Sequence, residues 1–297
     1  MLWADVVRSI TDATGIRFQL QDVAPVSGGG INTAFYLNGR RTTGETVRYF
    51  VKCNRVGLLD MFVAEADGLR ELGEAGAIRV PSPVCHGACG GQVWLITEYI
   101  DFTAPGVSSH ARLGEQLARQ HRSSADRFGW RRNNTIGSNE QLNTWTDSWI
   151  RFFRDQRLGF QLDLAAQRGF TGSLQDKGQH LQADLAAFFS GYSPQPSLLH
   201  GDLWRGNRGF DRAGDPVIFD PAVYYGDREA DIAMTELFGG FDAGFYAAYR
   251  EAWPLDDAYY VRKILYNLYH ILNHANLFGG GYARQAESMM DHLLAEC

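Results

Sequence analysis

The chain has 297 residues, 45% hydrophobic, 13% aromatic and 21% charged, which supports one large core or two modest ones and excludes disorder, collagen and coiled coil. Its formal charge of -6 comes with no block of basic residues that would track a phosphate backbone, so a nucleic-acid binder is excluded as a reading and partners should be neutral, cationic or brought in by a metal. Cys53, Cys85, Cys89 and Cys297 are too few to staple the fold or complete a zinc site; with no leader-like start and no long apolar run, the expectation is a cytoplasmic protein with reduced thiols and no membrane span.

In chain order, strands are expected at 23–26, 33–37 and 47–53, with the Ser27-Gly28-Gly29-Gly30 turn after the first and an Asn38-Gly39 hairpin before the third. A helix over 62–74 follows, with Phe62, Ala66, Leu69 and Leu72 at helical spacing, then a strand over 93–100. Beyond Asp101 the pattern turns helical, at 108–125, 143–166, 175–191, 230–251 and 257–277, interrupted by short apolar strands at 197–200 and 217–220. Segments 129–139 and 279–281 read as loops. The class is α+β, with a small sheet domain over 1–97, a boundary at 98–102 and a helical domain over 103–297.

Four constellations carry chemistry. The glycine turn Gly28-Gly29-Gly30 would let backbone N–H groups approach a polyphosphate, but it matches neither nucleotide-loop fingerprint and reads as readily as a plain hairpin. Lysine is rare, with three against 25 arginines, and Lys52 follows an apolar run while Glu65 sits on the apolar stripe of its helix. The two suit an ion pair that presents an ammonium to phosphate; the alternative is a snorkelling lysine and an edge glutamate. The strongest signal is His200-Gly201-Asp202-Leu203-Trp204-Arg205-Gly206-Asn207, in which an Asp and an Asn five apart have the spacing of a kinase catalytic loop. Asp220 ends an apolar strand 13 residues after Asn207, so the two suit a hard cation that bridges phosphates. His200 reads as a brace for the loop, and Asp231 as either a helix N-cap or an anchor beneath it.

These residues, with 128–130, 134–137, Gln141 and the helix around Leu265-Tyr266-Asn267-Leu268-Tyr269-His270, resemble the fructosamine kinase (ketosamine-3-kinase) family over nearly the whole chain. The resemblance implies a two-lobed, protein-kinase-like fold with a small antiparallel-sheet N-lobe and a larger, mostly helical C-lobe. It also implies transfer of the ATP γ-phosphate to the 3-hydroxyl of ketosamines, free or on glycated protein. Asp202 is then the base, Asn207 and Asp220 the Mg2+ ligands, Lys52 the ATP-phosphate lysine and Glu65 its partner, and Glu98, Tyr99 and Ile100 the adenine hinge. Trp204 is an aromatic wall for the sugar-amine or a packing residue; His270, Asn273 and His274 line the acceptor cleft or are satisfied core groups. The competing readings are a phosphotransferase of the same fold acting on another small alcohol or an aminoglycoside, and a non-catalytic nucleotide-binding protein.

Overall fold

The computed structural model describes residues 2–26 and 30–296. The chain forms two compact units, residues 1–105 with 209–219, and residues 106–208 with 220–297.

The first unit begins with helix α1 (Leu2–Thr14), then runs through strands β1 (Phe18–Val26), β2 (Thr33–Arg41) and β3 (Thr46–Arg55), helix α2 (Leu59–Ala75), and strands β4 (Pro83–Cys89) and β5 (Gln92–Glu98). The strands make one antiparallel sheet in the order β1-β2-β3-β5-β4. Side chains alternate between the faces of a sheet, and the two helices take opposite faces. Val6 and Ile10 of α1 pack with Val51, Cys53, Trp94 and Ile96, whereas Phe62 and Ala66 of α2 pack with Val93 and Leu95. Lys52 lies between Val51 and Cys53 and pairs in register with Leu95, so period two alone puts it on the α2 face. Gly76, at φ 64, ends α2 with its N–H on the Gly73 carbonyl, as a left-handed cap requires.

In the second unit, α3 (Ser109–His121) precedes a short hairpin of β6 (Asn134–Ile136) and β7 (Asn139–Gln141). Helices α4 (Trp149–Phe153), α5 (Phe160–Gln167) and α6 (Ser173–Asp184) follow, then β8 (Ser197–Leu199). Strands β9 (Arg208–Phe210) and β10 (Pro216–Ile218) form a hairpin whose residues 209–219 group with the first unit, although they lie within the domain expected over 103–297; β10 corresponds to the strand expected at 217–220. Strand β11 (Tyr224–Gly226) pairs antiparallel with β8, and α7 (Glu229–Leu237), α8 (Ala243–Ala252), α9 (Tyr259–Phe278) and α10 (Tyr282–Leu294) complete the unit. The apolar α9 is its axis, packed against α5, α7 and α10.

Several expectations differ from the structure in detail. The helix expected over 143–166 starts only at Trp149, where the Ser148 hydroxyl accepts from the Arg151 N–H, and contains a π-helical turn at Arg154–Gly159. The helix expected over 230–251 breaks after Leu237, where Gly239 and Gly240 take left-handed φ and Asp242 caps the next helix. The 129–139 loop carries most of the β6–β7 hairpin. Helices α1 and α10 were not expected. Among the described residues no helix is long and apolar enough to cross a membrane.

A buried charge cluster ties α7 to α9. Arg262, 1% exposed, donates from Nε and Nη2 to the Glu229 carboxylate at 2.8 and 3.2 Å and lies 3.8 Å from the Tyr192 ring centroid. Asp227 beside it accepts from Tyr192 and Tyr266 hydroxyls. Removing one member of such a pair leaves an uncompensated buried charge. Arg262→Met should therefore lower unfolding free energy by about 3–5 kcal/mol in urea titrations, and Glu229→Gln in the same chain should recover part of the loss. Equal stability of the single variant and the wild type would show the pair to be unimportant.

Candidate active site

The loop after β8 is shaped by one carboxylate. Asp231, in the first turn of α7, accepts from the His200 and Gly201 backbone N–H groups at 2.7 and 2.9 Å and from His121 Nε2 at 3.2 Å. Burial would raise its pKa, but the His121 interaction and the backbone donors lower it below the ordinary carboxylate value. His121 Nδ1 meets the Tyr249 hydroxyl at 2.8 Å, so a neutral ring with its proton on Nε2 satisfies both contacts, in keeping with a pKa lowered by burial. Of the two readings of Asp231, the geometry selects the anchor. Gly201 sits at φ 82, and a Cβ there would lie 2.0 Å from the Ala222 carbonyl oxygen. No other residue fits. His200 braces the turn, accepting the Asp202 N–H on Nδ1 at 3.2 Å.

Asp202, Asn207 and Asp220 come together. The Asn207 amide NH2 donates to the Asp202 carbonyl at 2.9 Å, to its carboxylate at 3.2 Å and to the Asp220 carbonyl at 3.4 Å. That fixes the amide's orientation and leaves Oδ1, the atom a hard cation would use, outside these bonds. Burial, the Asp220 charge and the Asp231 charge push the Asp202 carboxyl well above its usual pKa, while the Asn207 bond opposes them. Asp220 has φ 58, the left-handed region in an ordinary side chain, a strain that functional sites retain. Among the described residues no cluster of three or more His, Cys, Asp or Glu could cage a metal. Asn207 Oδ1 and the Asp220 carboxylate are oxygen donors of the kind that could hold a hard cation together with phosphates and water.

In the first unit, Lys52 Nζ lies 2.6 Å from Glu65 Oε1, both largely buried, so the ion-pair reading holds and the snorkelling one does not. Glu98 is engaged twice: its carboxylate accepts from Arg79 and from the Ser82 N–H, and its own N–H donates to the Ser82 carbonyl. Arg79 also holds Asp211 at 2.7 Å. Tyr99 donates to Asp101 at 2.6 Å with the Arg48 guanidinium over its ring, and Ile100 is buried. Gly28 and Gly29 lie outside the described residues; Gly30 is open on its Cβ side.

The candidate acceptor residues divide. Trp204 is 38% exposed and meets Phe238 edge-on, with centroids 6.2 Å apart; Phe238 continues to His274 at 4.9 Å and His274 to Tyr282 at 5.2 Å. The His274 Nδ1 is taken by the His270 carbonyl at 2.8 Å. His270 is buried, and its Nδ1 has no hydrogen-bond partner among the described residues. Asn273 instead spends its side chain inside the unit, accepting from Asn139 at 2.8 Å and donating to the Ile136 carbonyl at 3.4 Å. Sequence reasoning missed His121, Phe238 and the Arg79–Glu98–Asp211 triangle. For His121 a signal existed, since it continues the apolar stripe of Leu113 and Leu117 at i+4.

Burial lowers the His270 pKa from 6.5 to about 3. The native state then binds its proton only far below pH 6.5, whereas the unfolded chain binds it near 6.5, so this contribution is intact above pH 6.5 and erodes as pH falls toward 3. Urea unfolding of wild type and His270→Asn between pH 7 and 4 should show the variant's stability falling less steeply, by about 1.4 kcal/mol per pH unit below 6. Parallel curves would refute a neutral, buried His270.

The fructosamine kinase family profile matches residues 2–296. A probable ketoamine kinase of Synechocystis is 45% identical, covering 98% of this chain and 97% of its own, and the chloroplastic protein-ribulosamine 3-kinase of Arabidopsis thaliana is 40% identical over 98% and 88%. The crystal structure of a proposed fructosamine-3-kinase from Haemophilus somnus superposes with TM-score 0.88 at 30% identity, over 98% of this chain and 97% of that one. An ADP-bound aminoglycoside phosphotransferase, APH(2'')-Ib, shares the two-lobed, protein-kinase-like α+β fold, at TM-score 0.63, 11% identity and coverage of 98% and 99%. Because the profile spans residues 2–296 and relatives at 40–45% identity cover nearly the whole chain, the chain belongs to the fructosamine kinase family of phosphotransferases.

Proposed function

We propose that this protein transfers the γ-phosphoryl group of ATP to the 3-hydroxyl of small or protein-bound ketosamines. The observation that carries the reading is the Asn207 amide, turned by Asp202 and Asp220 so that its oxygen is left for a cation. The relatives named for ketoamine and ribulosamine phosphorylation support the acceptor class. Residues 1–97 act as the nucleotide lobe, 98–102 as the hinge and 103–297 as the catalytic and acceptor lobe. We place the activity in the cytoplasm.

Phosphoryl transfer demands alignment and charge neutralisation more than covalent participation. Asp202 orients the acceptor hydroxyl and takes its proton late, since a sugar hydroxyl is far too weak an acid to ionise beforehand. An ammonium has three donors, and the bond to Glu65 directs Lys52 so that another can meet a phosphate oxygen. The backbones of Glu98, Tyr99 and Ile100 receive the adenine, and the turn at Gly28–Gly30 covers the phosphates. Magnesium, held by Asn207 and Asp220, would neutralise charge across the phosphates. Trp204 and His274 wall the acceptor, and His270 presents its unpartnered nitrogen to an acceptor hydroxyl; Asn273 serves by holding α9 to β6 and β7. The product carries phosphate on C3 beside the C2 carbonyl. Enolisation toward C1 makes that phosphate an allylic leaving group, and its loss is followed by release of the amine, so the reaction is a deglycation.

The test is ATP turnover across ribulosamines, fructosamines, free sugars and aminoglycosides. Ketosamines should have the highest kcat/KM, and Asp202→Asn should lower kcat on them by about 10²- to 10⁴-fold with the ATP affinity retained. Faster aminoglycoside turnover would favour the other phosphotransferase reading, and near-normal kcat in the variant would remove Asp202 from the mechanism.

A further inference from the structure

We infer that the buried amides of Asn134, Gln141 and Asn143, directed by the Arg157 guanidinium, are positioning residues that clamp the chain just after Asp220 and so hold its carboxylate in the cation-binding conformation. This rests on the phosphoryl-transfer reading of Asn207 and Asp220 and adds residues to it that touch neither nucleotide nor acceptor.

The need for a clamp comes from the backbone. A non-glycine residue at φ 58 persists only where its surroundings over-determine it, and Pro221 next in line has no N–H to contribute. The restraint is applied at the following two residues. The Ala222 N–H donates to the His200 carbonyl at 2.8 Å, which ties this segment to the catalytic loop. Ala222 and Val223 offer their carbonyls in the opposite direction: Gln141 Nε2 donates to the first at 3.0 Å and Asn134 Nδ2 to the second at 2.8 Å. The two amides are register partners across the β6–β7 hairpin.

An amide can flip, and a flipped amide would set oxygen against a carbonyl. The network forbids it. Arg157 has donors only, and its Nη2 donates to the Asn143 oxygen at 2.8 Å, so the Asn143 NH2 must face the Asn134 oxygen, 2.9 Å away. The Tyr269 hydroxyl donates to the Gln141 oxygen at 2.8 Å, so the Gln141 NH2 faces the same Asn134 oxygen, also at 2.8 Å, and Ala222. With its oxygen claimed twice, Asn134 can only present its NH2 to Val223. Water cannot substitute, because Gln141 is 1% exposed and Asn143 and Arg157 are fully buried. Arg157 itself makes no ion pair among the described residues. It is set by the π-helical turn and stacks on the rings of Phe152 and Tyr224, at 4.4 and 4.1 Å to the centroids. A cation kept dry without a carboxylate is costly, and here Nη2 directs the clamp through Asn143 while Nη1 donates to the Leu142 and Gln156 carbonyls.

The test uses Gln141→Met, which keeps the shape and removes the donor. Two readouts separate positioning from mere packing: Mn2+ affinity by electron paramagnetic resonance with a non-hydrolysable ATP analogue, and hydrogen exchange of the Ala222 amide in metal-free protein. Outer-shell partners of metal ligands typically govern affinity by 10- to 100-fold, so the variant should bind Mn2+ weaker by about that factor, and the Ala222 amide should exchange faster. Tyr192→Phe, which removes a buried bond to Asp227 elsewhere in the same unit, should lose thermal stability with Mn2+ affinity unchanged. Asn134→Leu, close in shape and uncharged, removes the donor to Val223 together with the acceptor for Gln141 and Asn143, and carries the same test if Gln141→Met does not fold. Wild-type Mn2+ affinity and Ala222 protection in the folded variant would overturn the clamp. Mn2+ binding lost equally in Tyr192→Phe would do so as well. Failure of the ketosamine reading would show instead as absent turnover with the Mn2+ result intact.

Discussion

One buried carboxylate organises the loop after β8, which the proposed function makes catalytic. Asp231 holds two consecutive backbone N–H groups, at His200 and Gly201, in charge-assisted hydrogen bonds, and takes a third contact from His121. This anchor takes hold of the backbone, while the His200 ring and the Asn207 NH2 brace the turn from within, so that Asn207 Oδ1 stays outside those bonds. The helix that supplies the anchor is itself fixed, because α7 is tied to α9 through Glu229 and Arg262 and the His121 contact reaches α3. The loop thus takes its position from three helices of one unit. This is the arrangement expected when a reacting constellation is preorganised by its supporting shell.

Strain is concentrated where the chemistry is proposed. Gly201 brings the backbone to the Ala222 carbonyl at a separation no side chain tolerates, and Asp220 adopts left-handed φ two residues before Ala222. Both distortions meet at one short segment, gripped by His200 from one side and by the β6–β7 amides from the other. The fold shared with an aminoglycoside phosphotransferase at 11% identity says nothing about the acceptor. In the proposed function, acceptor choice falls to side chains such as Trp204, Phe238 and His270.

What was legible in the sequence was what short-range spacing determines. Asp202 and Asn207 belong to one loop, and Asp220 follows the apolar strand β10 shortly after it. Lys52 and Glu65 could be paired because a period of two in β3 and of 3.6 in α2 sends both to the same face. What was not legible depends on contacts between distant positions. Gln141 meets Ala222 and Asn134 meets Val223 across separations of 81 and 89 residues, and Arg79 meets Asp211 across 132. Asn134 sits in the Gly/Asn-rich stretch read as a loop, and Gln141, singled out only by the resemblance, lies just beyond it, so neither showed its partner. Helix α1 has Val6 and Ile10 at helical spacing, but a segment read only for export signals yields no helix. The break after Leu237 was hidden by apolar residues on both sides of two glycines.

In the proposed function, phosphate goes to C3 of a ketosamine and the amine is released as a result. The most direct measurement is paired ³¹P and ¹³C NMR of the reaction with ATP, magnesium and a synthetic N-alkyl ribulosamine, beside its 3-deoxy analogue. A phosphate-coupled C3 signal should appear and decay as free amine and inorganic phosphate form, with the 3-deoxy compound inert. Phosphate on any other carbon, or turnover of the 3-deoxy analogue, would contradict it.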